Sequence, residues 1–187
     1  TQGSLGYKRT WRLSLRIRIT SMALTTVRPQ GMGFNTGRRN LIINGAMQVA
    51  QRSTSTASIV GNSTFVLDRT RFVISNGGTW TMSQSTTVPS GQGFSNSLKL
   101  DCTAADTSLG AAHYIILQQL IEGQNVQHLA YGTPDAKTVT VSFWIRSNKT
   151  GTYSFEVQHQ NSSNAFYHTS KTFTISSANT WEKKQIS

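Results

Sequence analysis

Cysteine is almost missing from this chain: Cys102 is the only one among 187 residues. A single thiol cannot close an intrachain disulfide, so packing and hydrogen bonds must hold the fold, and a Cys-rich zinc site is excluded. Its reading is a small apolar residue in a strand. Charge is scarce too, at 13% of residues, and acids are the scarcer sign: 7 Asp and Glu against 18 Lys and Arg. No two carboxylates sit where the convergent pair of a glycosidase can be read, so no enzyme activity is expected. Long apolar runs are absent. No stretch approaches the roughly 20 residues of a helical membrane span, and the first residues lack the continuous apolar core of a secretory signal. His113, His128, His159 and His168 show no metal-ligand spacing, so neither a metal nor a cofactor is expected. Gly31-Met32-Gly33 lacks the strand–helix context of a phosphate-binding loop.

What is present is Ser, Thr, Asn, Gln and Gly, interleaved with short apolar runs. The length suits one domain with a proper core, and the composition suits a β-rich extracellular or virion protein. The net charge of +11 is unevenly placed: residues 1–39 hold eight cations and no acid, while the rest holds 10 basic and 7 acidic residues. A basic arm can bind anionic surfaces, but no nucleic-acid-binding motif accompanies it, and nucleic acid is not an expected partner.

Residues 1–38 therefore read as a basic leader. Within it, residues 1–21 precede Met22, a fitting start, and are expected not to be native to the domain; residues 22–38 read as a flexible arm. Trp11, Leu13, Leu15, Ile17 and Ile19 do alternate with Arg12, Ser14, Arg16, Arg18 and Thr20, a strand period, and such a strand is expected as a charged edge. Residues 39–187 read as the domain. Strands are expected over Leu41–Val49 with a kink at Asn44-Gly45, then Thr64–Ile74, Thr79–Thr87, Ser97–Cys102, Ala112–Glu122, Lys137–Arg146, Thr152–His159, His168–Ser176 and Trp181–Ser187. Gly, Asn, Ser and Pro clusters separate them. Short alternating strands with such punctuation imply an all-β antiparallel sandwich. The chain stops inside a strand pattern, TWEKKQIS, and the sandwich is expected to be incomplete at its C-terminus.

The segment NLIINGAMQV (Asn40, Leu41, Ile42, Asn44, Gly45, Met47) resembles the opening of carbohydrate-binding-module-like, galactose-binding-like sandwiches. LQQLIEGQ, VTVSFWIRSNKTGTYSFEVQ and Trp181 with its following Glu-Lys-Lys fit the same pattern. As a set, with Asn125–Asp135, they resemble a family of bacteriophage tail-fibre and related virion proteins. Leu67-Asp68-Arg69-Thr70 stands where that family has Val-Asp-Arg-Trp, so no role carries over for the missing Trp. The resemblance implies a jelly-roll-type sandwich in a non-catalytic virion appendage. Its expected partners are its own copies, with a trimer as the fitting state, other virion proteins and host surface glycans. The alternative is a carbohydrate-binding module from a larger secreted bacterial enzyme or surface protein.

A glycan face is expected from alternation. If Val139, Val141, Phe143 and Ile145 fill the core, Trp144 and Arg146 lie on the other face, where an aromatic ring can stack on a sugar. Tyr114 and Gln118 share a face of the neighbouring element and join this candidate site. Gln119 points the other way and reads as a buried, satisfied amide. Asp68, Arg69 and Arg71 read as ion-paired or hydrogen-bonded supports.

Overall fold

The computed structural model describes residues 13–20, 40–160 and 165–187. Within them alternation becomes ladder. The strands are β1 Leu13–Thr20, β2 Ser55–Ile59, β3 Asn62–Phe65, β4 Thr70–Ser75, β5 Thr79–Ser85, β6 Ser97–Ala104, β7 Tyr114–Glu122, β8 Val141–Ile145, β9 Gly151–Gln160, β10 Phe166–Ile175 and β11 Glu182–Ile186. The all-β reading holds. Among the described residues there are three sheets, ordered β10-β9-β1-β7-β4-β3, β2-β5-β6 and β11-β8.

Two apolar clusters show how the sheets stack into a sandwich-like body. On one half, Phe72 and Ile74 of β4 and Ile115 of β7 meet Ile59 of β2 and Met82 of β5, with Val66 and Leu67 between them. On the other, Phe155 of β9 and Ile121 of β7 are covered by Val141 of β8 and Ile186 of β11, with Val126 and Leu129 from the β7–β8 connection. Phe143 meets Phe173 edge-on, with ring centroids 5.2 Å apart. The large sheet thus forms one layer, and the two smaller sheets divide the other. Each buried face alternates with a more polar one, as an antiparallel sandwich requires.

Among the described residues all pairings are antiparallel except those of β1, which runs parallel to both β7 and β9. The sequence pattern sets this segment apart from the domain, or at a charged edge. Here it is paired on both sides and occupies the strand-wide gap between β7 and β9. The expected arm, residues 22–38, lies outside the described residues. The register of β1 is defined on both sides. Arg16 stands beside Gln118 on one side and Glu156 on the other. Arg71 continues the row beyond Gln118, and Ser170 continues it beyond Glu156. Leu15 stands between Leu117 and Phe155.

Other elements differ from the sequence reading. Leu41–Val49 is not a kinked strand. Asn44 and Met47 have φ of 56° and 54°, left-handed values that break a ladder, and Met47 N–H donates to Asn44 O at 2.9 Å. Thr64–Ile74 is two strands, because Arg69 takes φ 67° and turns the chain between β3 and β4. Lys137–Arg146 pairs only over β8. β2 was not anticipated; Ser58, at φ 57°, interrupts its alternation, and its register with β5 shifts between Thr56 and Ile59.

Candidate functional site

The four residues expected to share a glycan face fall into two places. Tyr114 and Gln118 lie on β7 in the large sheet; Trp144 lies on β8 in the two-stranded sheet, with Arg146 just after it. Residues 123–140 carry the chain from one layer to the other through two short 3₁₀ turns, Gly123–Asn125 and Gln127–Leu129. Sequence neighbours thereby end on opposite layers, which alternation cannot reveal. Tyr114 is exposed, whereas Gln118 is buried. Trp144 is half-buried and opposite Lys183. Arg146 Nε donates to Asn179 O at 2.8 Å and clips the turn before β11. The structure thus keeps Tyr114 with Gln118 and Trp144 with Arg146, but does not bring the two pairs together.

A different set converges at the end of β7. A cavity of about 350 Å³ is lined by Arg52, Phe65, Leu67, Asp68, Arg69, Leu120 and Glu122. Its walls come from three segments that the sequence reading treated as separate motifs. The opening loop supplies Arg52. The turn between β3 and β4 supplies Leu67, Asp68 and Arg69, and the end of β7 supplies Leu120 and Glu122.

Hydrogen bonds explain why these segments meet. Asn44 Nδ2 donates to Val49 O at 2.9 Å and to Asp68 O at 3.0 Å, while its Oδ1 accepts from Val49 N–H. Asp68 N–H donates back to Val49 O, and Gln51 N–H donates to Asp68 Oδ2 at 2.7 Å. Gln119, 7% exposed, accepts from Ile43 N–H at 3.1 Å and donates to Ile43 O at 2.6 Å. One amide thus satisfies both polar groups of a loop residue, as a buried loop demands, and Gln119 is the satisfied amide its position implied.

The charges on the cavity wall are not equivalent. Arg69 donates to Glu122 Oε1 at 2.7 Å and to Leu120 O at 3.1 Å. That bond is the main reason the Glu122 carboxyl lies below its ordinary pKa, so Glu122 is held ionised. Asn125 Nδ2 adds a bond to Oε2. Among the described residues Asp68 and Arg71 form no ion pair; Arg69 pairs with Glu122 instead. Arg52 has its guanidinium 5.4 Å from the Phe65 ring centroid, and among the described residues it forms no ion pair or hydrogen bond. Phe65 is 39% exposed.

Among the described residues the wall therefore offers an uncommitted cation, an exposed aromatic ring, carboxylate acceptors and apolar Leu67 and Leu120. Such an arrangement can orient a bound molecule by a few polar groups over an apolar surface. Glu122 has the opposite tuning from a catalytic acid, which needs a raised pKa. Cys102 lies on β6 and is exposed; local desolvation and the neighbouring Asp101 push its thiol pKa up, the reverse of nucleophile activation. Among the described residues no group of three His, Cys, Asp or Glu could hold a metal. His113 lies 3.2 Å from Asp106, and His168 contacts Glu156. Sequence reasoning missed Arg52 and Phe65 as a pair. Arg52 ends the opening motif and Phe65 immediately precedes Val66-Leu67-Asp68-Arg69, but only the turn at Arg69 brings them together.

No protein-family model matches this chain, and no curated protein or solved structure does either.

Proposed function

We propose that this chain is a non-catalytic recognition module of a bacteriophage virion appendage, of tail-fibre type, which assembles as a homo-oligomer and binds glycans on the host surface. One observation carries the reading. The scattered segments of the tail-fibre resemblance are mutually hydrogen-bonded through Asn44, Asp68 and Gln119, so they read as one framework. That framework presents the Arg52–Phe65 cavity. A jelly-roll-type connectivity belongs to the same reading.

Single-site affinity for a small sugar is weak, on the order of millimolar, and multiple copies on a fibre supply avidity. The test is an array of bacterial surface polysaccharides probed with the oligomeric full chain, with a parallel assay for released reducing ends. The expected result is retention without release. Release of reducing ends would show a depolymerase instead, and absence of retention on every surface would defeat the recognition reading.

A further inference from the structure

We infer that the cavity between the opening loop, the β3–β4 turn and the end of β7 is selective for acidic saccharides, of the uronic-acid class, over neutral ones. The inference rests on the glycan-binding reading above and names the ligand chemistry of that site. The carrying observation is the inequality of its charges. Arg69 is committed to Glu122 and Leu120 O, and Asp68 Oδ2 is committed to Gln51 N–H. Arg52 is exposed, lies over the Phe65 ring at 5.4 Å from its centroid and is bonded to no carboxylate among the described residues. Its guanidinium donors are left without a protein acceptor among the described residues, on the cavity lining and beside an aromatic ring. Such a planar fork suits bidentate capture of a carboxylate.

The surrounding groups narrow the ligand further. A simple anion such as phosphate would satisfy Arg52 but would meet two carboxylates, Asp68 and Glu122, on the same wall. A neutral sugar would use those carboxylates as acceptors for its hydroxyls and would leave Arg52 unused. A hydroxylated ring bearing one carboxylate answers all three features: its carboxylate to Arg52, its hydroxyls to Asp68 and Glu122, and its C–H face to Phe65. The cavity volume of about 350 Å³ lies at the small end of ligand pockets and suits one or two sugar rings. Arg52 is solvent-exposed, so salt screening acts on this contact directly.

The experiment is a heteronuclear NMR titration of the full chain with sodium glucuronate, glucose and sodium acetate in separate arms. Arg52→Gln and Phe65→Ala serve as variants, each checked for folding by its amide spectrum. Glucuronate should shift the amides of residues 51–52, 65–69 and 122, with affinity about tenfold above that of glucose. Added salt should lower it. Arg52→Gln should erase the difference between the two sugars, and Phe65→Ala should weaken both.

Equal affinity of wild type for glucose and glucuronate would overturn the acid preference while leaving the glycan reading intact. Shifts with acetate as large as those with glucuronate would overturn it in favour of simple anion binding. No shift at these residues with either sugar would defeat both this inference and the use of the cavity for glycans. If Arg52→Gln fails to fold, Arg52→Ala and the salt dependence of wild type decide the matter. A glucuronate affinity indifferent to salt would then overturn the inference.

Discussion

At the scale of single residues, three side chains illustrate how different physical terms dominate. Gln119 satisfies both the N–H and the carbonyl of Ile43. Gln119→Ala leaves two loop groups without partners in a partly buried place, and the cost should be about 1–3 kcal/mol, read as a fall in the urea midpoint with an unchanged slope. Met82 is fully buried in the cluster between the large sheet and the β2-β5-β6 sheet. Met82→Ala removes packing with no polar compensation and should cost ~2–5 kcal/mol. Glu122 is an electrostatic case. Arg69 lowers its pKa in the folded protein below the ordinary 4.5, so below that value the unfolded chain takes up the proton first. Its stabilising contribution is therefore complete above pH 4.5 and is lost as pH falls through the folded value. The carboxylate is 43% exposed, so the stability effect is small, but the titration is measurable. Arg69→Gln should raise the Glu122 midpoint toward 4.5 in carboxyl-carbon NMR; an unmoved midpoint would show that Arg69 is not the cause.

At the scale of elements, the informative places are those where a ladder is broken. Thr64–Ile74 carries one long alternating pattern, yet Arg69 at φ 67° divides it, and that division creates the cavity wall. The opening segment has apolar residues fit for a strand. Asn44, however, spends its amide on its own loop and on Asp68, and such local side-chain bonds compete with a sheet ladder. The β4–β5 turn shows the complementary case. Gly78 adopts φ +90°, and a Cβ there would stand 2.4 Å from the carbonyl oxygen of Ala104. Gly78→Ala should therefore cost on the order of 1–3 kcal/mol. The loss should appear as weakened hydrogen-exchange protection of β5 and β6, the strands whose pairing the turn starts. Unchanged protection there would mean that the turn relaxes without disturbing the ladder.

At the scale of the whole molecule, β1 is the decisive element, because it joins β7 to β9 and so the two halves of the large sheet. Removing residues 1–21 should open an edge on each side of the gap. The expected outcome is lost exchange protection in Ile115–Ile121 and Phe155–His159, accompanied by self-association through the bared edges. Retained protection and a monodisperse product would show that β7 and β9 can close the sheet without β1. What the sequence by itself determined is the class: period-two alternation and punctuation by Gly, Asn and Pro point to layered β-sheets with polar outer faces, and Gln119 was legible as a satisfied core amide. It also held the segments of the framework, because their residue types are local facts. Tertiary structure alone decided which strands became neighbours. Alternation tells which face a side chain takes but not which sheet its strand joins, so Tyr114 and Gln118 were separated from Trp144 and Arg146. Likewise, Arg52 and Phe65 meet because a left-handed residue turns the chain at Arg69 and because Asn44 and Asp68 tie two loops together. Long-range hydrogen bonds of that kind leave no periodic trace in a sequence.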